Sequence, residues 1–135
     1  MIVACGKDTQ KKAPLIKGPG YAGVASSAGF VDVSSKGGGT YKLAVAAEVS
    51  TETDVVLFFG KSGDPFTKRT DQMLRALYGS GSVAKQTRYI DYDKSMSLRL
   101  QNEVITYDTL VLRVKGEILK SIVHPSQSEL QLLLK

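Results

Sequence analysis

The stretch Asp54–Tyr78, DVVLFFGKSGDPFTKRTDQMLRALY, constrains this chain more than any other. Val55–Phe59 is a short, nearly continuous apolar run, rich in β-branched and aromatic residues. A run this short is not a helix and predicts a strand covered on both faces. Gly60, Lys61, Ser62 and Gly63 then break the pattern. Asp64-Pro65 predicts a helix start: an Asp side chain accepts from the free N–H groups of a first turn, and Pro suits the first helical position. Behind it Phe66, Met73, Leu74 and Leu77 recur at helical spacing. Asp71 and Arg75, one turn apart, are expected as an exposed ion pair, and Gly79 is expected to stop the helix. The centre of the chain is therefore strand, tight turn, helix N-terminus, the place where parallel α/β sheets gather their chemistry.

The theme repeats downstream. Thr87–Asp91 reads as a second strand, Lys94–Gln101 as a short helical stretch and Thr109–Val114 as a third strand. Lys115-Gly116 is a tight turn and Glu117–Val123 its hairpin partner. Ser126-x-x-Glu129 is a capping box that opens a helix over Ser126–Lys135, with Leu130, Leu132, Leu133 and Leu134 behind it. Upstream, Phe30–Val33 alternates as a first strand and Lys36–Gly39 reads as a flexible break. Thr40 is expected to cap a helix through Leu43, Ala44, Ala47 and Glu48, in competition with a strand over Tyr41–Val49 favoured by β-branched Val45 and Val49.

This order of elements resembles the thioredoxin family. The family runs a buried strand into Trp-Cys-Gly-Pro-Cys and a helix; here the same place holds Lys61-Ser62-Gly63-Asp64-Pro65. Its next strand ends near an acidic residue, as Ile90-Asp91-Tyr92-Asp93 does, and its Ile-Pro-Thr before the following strand is matched by Tyr107-Asp108-Thr109. Lys115-Gly116-Glu117 fills the turn of its last hairpin. The resemblance implies a thioredoxin-like three-layer α/β/α sandwich over residues 30–135. Its mixed sheet would set Val55–Phe59 between Thr87–Asp91 and an antiparallel Thr109–Val114, with Glu117–Val123 at an edge.

The chemistry of the family is what the motif lacks. Thiol–disulfide exchange needs a thiolate at the helix N-terminus and a second thiol to resolve the mixed disulfide. Ser62 and Pro65 stand in those two places, Val56 stands where the family has a buried acid, and Asp108 replaces its cis-proline. The resemblance then implies a scaffold kept without the reaction. It implies no thiol–disulfide oxidoreductase activity, no cofactor and no metal, and a protein-binding or accessory role in a larger assembly. The binding face that the resemblance implies is the family's redox groove: Lys61, Ser62, Gly63, Asp64, Pro65, Phe66, Tyr107 and Asp108. Phe66 has a competing place in the core. The alternative function is an enzyme or cofactor binder that holds a thiol ligand with the Ser62 hydroxyl; turn formation and capping explain Ser62-Gly63-Asp64 without it.

Length and composition set the outer bounds. A chain of 135 residues points to one domain with a real core. Eighteen Lys and Arg against thirteen Asp and Glu give +5, without a basic cluster or aromatic–basic interleaving, so a solvated basic surface is expected rather than specific nucleic-acid binding. No run reaches the length of a membrane span. The single cysteine, Cys5, excludes an internal disulfide and a CxxC pair. The single histidine, His124, reads as structural, because no nucleophile lies beside it in sequence.

Met1–Gly29 is rich in Gly, Ala, Ser, Lys and Pro and reads as an extended arm or linker. Within it Ile2-Val3-Ala4-Cys5 resembles a lipobox, which implies lipidation of Cys5 and a membrane-anchored or periplasmic lipoprotein. Against this, no positive region and almost no apolar region precede the cysteine. The other readings are a plain polar terminus with a free thiol, on an otherwise soluble protein, and a processed organelle-targeted protein. Tyr21, Tyr41, Tyr78, Tyr89, Tyr92 and Tyr107 divide between the core and a surface patch in a way the sequence leaves open.

Overall fold

A computed structural model describes residues 29–45 and 54–135. In chain order the elements are β1 (Val33–Ser34), β2 (Thr40–Leu43), β3 (Val55–Gly60), α1 (Pro65–Ser80), β4 (Gln86–Asp91), α2 (Met96–Gln101), β5 (Thr109–Val114), β6 (Glu117–Val123) and α3 (Gln127–Leu133). They build one six-stranded sheet in the order β1-β2-β4-β3-β5-β6. β4 runs parallel to both β3 and β2, while β5 runs antiparallel to β3, with Phe59 opposite Thr109. The strand order and directions expected for the centre of the sheet are those observed.

Every residue of β3 is buried, as a strand covered on both faces must be. Alternation sends its side chains into two cores. Val56 and Phe58 join Tyr41, Leu74, Tyr78, Tyr89, Leu110, Leu130 and Leu133 beneath α1 and α3. Val55, Leu57 and Phe59 join Ile90, Val104 and Val111 on the opposite face, with Leu98 of α2 packed against them. Each large side chain buried this way contributes about 1.5–3 kcal/mol of transfer free energy. Gly60 lets α1 approach the end of β3: a Cβ there would lie 2.7 Å from Thr67 Cγ2 and 2.4 Å from Tyr89 Cε1. Asp64 caps α1, Pro65 opens it and Ser126–Glu129 form the reciprocal capping box of α3, as their residue types required.

The amino-terminal half departs from expectation. Thr40–Leu43 is a strand, not the start of a helix, because Tyr41, Lys42 and Leu43 pair with Thr87, Arg88 and Tyr89 of β4. Ala47 and Glu48, the last positions expected on that helix, lie outside the described residues. The strand expected at Phe30–Val33 is instead Val33–Ser34, antiparallel to β2 at the sheet edge. Phe30 is a packing residue ahead of it, stacked on Tyr89 at 5.5 Å and edge-on to Tyr41 at 5.2 Å.

Lys36–Gly39 is a pinned turn rather than a flexible break. Gly39 N–H donates to the Val83 carbonyl at 2.8 Å, and the Ser35 hydroxyl accepts from Val83 N–H at 2.7 Å and donates to the Gly81 carbonyl at 3.0 Å. The helix also passes through Gly79 and ends at Ser80, capped by Gly81. Asp71 and Arg75 do pair, with Nε 3.0 Å from Oδ2, but Asp71 is fully buried because the Tyr41 hydroxyl donates to it from β2 at 2.5 Å.

Candidate functional site

The site lies where the carboxyl ends of β3 and β6 meet the start of β5. The Lys61–Asp64 turn is closed by Asp64 N–H donating to the Lys61 carbonyl at 3.1 Å, with Gly63 in the left-handed region at φ 85°. Thr67 ties it to the helix in both directions. Its hydroxyl accepts from Lys61 N–H at 3.1 Å, and its own N–H donates to Asp64 Oδ2 at 2.7 Å. The turn is therefore a rigid part of the first helical turn. Lys61, Ser62, Gly63, Pro65 and Phe66 are exposed on it, and Asp64 is half-buried.

Asp108 forms the floor. Its N–H donates to the Phe59 carbonyl at 2.7 Å and its carbonyl accepts from His124 N–H at 2.9 Å, so its backbone bridges the ends of β3 and β6. Asp108 and His124 are both left-handed, at φ 57° and 49°. Non-glycine residues avoid that conformation at a cost of roughly 1–2 kcal/mol, so the contacts around the pair hold it there. The Asp108 side chain is 1% exposed and its Oδ2 lies 2.8 Å from His124 Nδ1. Burial raises its carboxyl above the ordinary value of 3.8, while contacts with Thr70 and His124 pull it back and nearby Asp64 pushes it further up. Thr70 faces the carboxylate from α1, yet Oδ1 completes no hydrogen bond of ordinary geometry.

Aromatic side chains form the walls. The Phe66 ring packs on the His124 ring at 4.3 Å between centroids, tilted by 30°, and stays 47% exposed. Phe66 thus faces outward from the first turn of α1, and its competing place in the core is ruled out. On the other side Lys61 Nζ lies 5.5 Å from the centre of the Tyr107 ring, and Tyr107 meets Tyr92 edge to face at 6.1 Å. Arg99 of α2 lies 4.1 Å over Tyr92. Such cation–π contacts contribute about 0.5–1 kcal/mol each at exposed positions.

The structure brings Lys61 to Tyr107 directly, and joins Phe66 to Asp108 through His124. Asp64 sits close enough to Asp108 to act on its carboxyl. Ser62 and Gly63 form the exposed tip of the turn. Val56 is buried. Tyr41, Tyr78 and Tyr89 belong to the core, while Tyr92 and Tyr107 are half-buried, Tyr92 against the second core. Cys5 and Tyr21 lie outside the described residues. Among the described residues no group of three His, Cys, Asp or Glu side chains is placed to hold a metal ion, and no helix is long and apolar enough to cross a membrane.

His124 is the residue that sequence reasoning missed. Its signal was present: Asp108 directly precedes one strand of the last hairpin and His124 directly follows the other. A β-bulge between Leu112 and Arg113 shifts the register by one, so that Thr109 lies opposite Val123 and the two residues beyond them face each other. Counting back from the Lys115-Gly116 turn without the bulge sets Asp108 opposite Val123 instead.

No family model matches the chain, and no curated protein does. Solved structures do. Trxlp from Edwardsiella tarda superposes with a TM-score of 0.61 at 18% identity, over 70% of this chain and 97% of that one. A mutant thioredoxin from Halobacterium salinarum gives 0.58 at 19% identity, over 75% and 91%. The reduced desulfothioredoxin from Desulfovibrio vulgaris Hildenborough gives 0.56 at 19%, over 69% and 93%. The fold is thioredoxin-like. Identities this low carry the fold and leave the activity to the site.

Proposed function

We propose that this domain binds an extended polypeptide across the face formed by Lys61, Ser62, Asp64, Phe66, Tyr107 and Asp108, as a redox-inactive module of a larger assembly. The observation that carries this reading is Phe66. A phenylalanine nearly half exposed at a helix start, packed on His124 beside the buried Asp108, is apolar surface at the edge where the strands end. Tyr107 supports it. Among the described residues its backbone N–H and C=O take no part in the internal hydrogen bonding, which leaves them for an added strand. Lys61 over the Tyr107 ring adds charge selection to that contact. Ser62 and Pro65 supply no thiol, so the chemistry of exchange has no first step here.

Selection of random peptides displayed on phage against the immobilised domain tests the face. Enriched peptides are expected to bind the native domain and to lose binding to the double variant Tyr107→Ala, Lys61→Glu, whose circular dichroism and melting temperature stay close to native. Undiminished binding by the folded variant would move the interface elsewhere. In parallel, insulin reduction with dithiothreitol is expected to run no faster than in buffer. Clear turnover would overturn the redox-inactive half of the proposal.

A further inference from the structure

The paired Asp108 and His124 do more than close the sheet. An ionised carboxylate only accepts hydrogen bonds, so once Asp108 has lost its proton the 2.8 Å contact with its Oδ2 sets the proton of the neutral imidazole on Nδ1 and leaves Nε2 as a lone-pair acceptor. The ring cannot turn freely. Its own backbone N–H is held by the Asp108 carbonyl, one ring face is covered by Phe66, and Pro125 follows in the chain. The side chain is still 39% exposed, and among the described residues Nε2 has no partner. Two left-handed residues, a buried carboxylate with one unpartnered oxygen and an imidazole aimed outward sit together at one point of the groove. Strain and partly satisfied polar atoms of this kind cluster where a protein engages a ligand.

We propose that His124 is the specificity-determining polar contact of the groove: its Nε2 atom, oriented by Asp108, accepts a hydrogen bond from a hydroxyl or amide side chain of the bound polypeptide, next to an apolar side chain that covers Phe66. The inference rests on the polypeptide-binding reading above. It adds the chemistry that the groove selects. Asp108 is a positioning residue, acting through the tautomer it imposes, and Phe66 supplies the apolar half of the recognition pair. A peptide with the donor replaced by a methyl group leaves Nε2 desolvated and unpaired, which costs about a tenfold loss of affinity.

Two measurements test this. His124 is the only histidine of the sequence, so a long-range nitrogen–proton spectrum of the uniformly ¹⁵N-labelled domain reports on this ring alone. At a pH where the ring is neutral, the proton is expected on Nδ1; a proton on Nε2 overturns the proposal without any variant. The second measurement repeats the phage selection on His124→Phe, which keeps the ring contact with Phe66 and removes the acceptor. His124→Gln, which restores an acceptor, serves as the rescue. The native domain is expected to enrich Ser, Thr, Asn or Gln at one position beside an apolar residue, and His124→Phe to lose that preference. A synthetic peptide of the native consensus should bind His124→Phe about tenfold more weakly and His124→Gln closer to native. Identical consensus pools from the native domain and His124→Phe overturn the role of His124 while leaving the groove in place. If the native domain enriches no peptide over an unrelated control protein, the polypeptide-binding reading falls and this inference falls with it.

Discussion

Asp108 is where the energetics of single residues and the design of the site meet. A carboxyl at 1% exposure is disfavoured as an anion, and burial raises its pKa against the lowering contacts of Thr70 and His124. The sign for stability follows. With a folded value above the unfolded value of 3.8, the native state binds more protons across the interval between the two. The contribution of Asp108 to stability is thus fully present below 3.8 and is lost as pH rises through the raised value. Asp108→Asn removes that loss while keeping an acceptor for His124. The difference in melting temperature, variant minus native, is expected to rise as pH goes from below 3.8 toward neutrality. A flat difference would mean that the carboxylate is hydrated in solution rather than buried. In the sequence Asp108 was legible as an anomaly, an acid in the place of a proline. Its partner was not, because the pairing depends on a bulge five residues away, and a one-residue slip exchanges His124 for Val123.

At the scale of elements, the starts of β3 and α1 were legible from local sequence, whereas the end of α1 beyond Gly79 and the strand at Thr40–Leu43 were not. β3, the Lys61–Asp64 turn and α1 follow from neighbours in the chain: an apolar run, a Gly, an Asp-Pro cap. β2 does not. Thr40–Leu43 has no strong preference of its own and becomes a strand because β4, more than forty residues on, offers it a ladder. The glycines around these elements separate the two cases. Gly39 meets the 83–85 backbone so closely that an added Cβ would sit 2.2 Å from the Lys85 carbonyl oxygen and 2.6 Å from that of Val83. Gly39→Ala must displace main chain, and a destabilisation of about 1–3 kcal/mol is expected. Gly79 lies inside α1 with open space where its Cβ would be. Gly79→Ala is therefore expected to stabilise by up to about 0.5–1 kcal/mol, the reverse of what a helix-stopping glycine would give. Thermal melts of the two variants check both signs, and destabilisation by Gly79→Ala would restore the reading of a helix that ends there.

Across the whole molecule the larger core is knitted by three tyrosines, and the hydroxyl groups of two of them, Tyr41 and Tyr78, tie layers together rather than merely filling space. Tyr41 of β2 donates to Asp71 of α1. Tyr78 of α1 donates to the Lys85 carbonyl at 2.7 Å and shares a hydrogen bond with Thr87 of β4. Tyr89 of β4 packs edge-on to Phe58 of β3 at 5.4 Å. Sequence alone showed six tyrosines and no means to sort them, since core and surface tyrosines look alike until the strands are paired. Burial pushes the Tyr78 hydroxyl up to about 12 and raises those of Tyr41 and Tyr89 as well. The unfolded chain releases these protons near 10.0 while the native state retains them. Stability from this source is present in full below 10.0 and is lost as pH climbs through the raised values. At about 1.4 kcal/mol per unit, Tyr78 alone accounts for roughly 3 kcal/mol over that interval. The urea midpoint is thus expected to fall steeply between about pH 10 and about pH 12. Tyr78→Phe should lower the midpoint at pH 9, through the lost hydrogen bonds, and flatten the fall above it. Because the Tyr41 and Tyr78 hydroxyls each join α1 to the β2–β4 side of the sheet, ionisation should release the layers together, in one transition by circular dichroism and tyrosine absorbance. Tyrosinate absorbance from all three residues in a domain whose midpoint had not moved would contradict the burial on which this core depends.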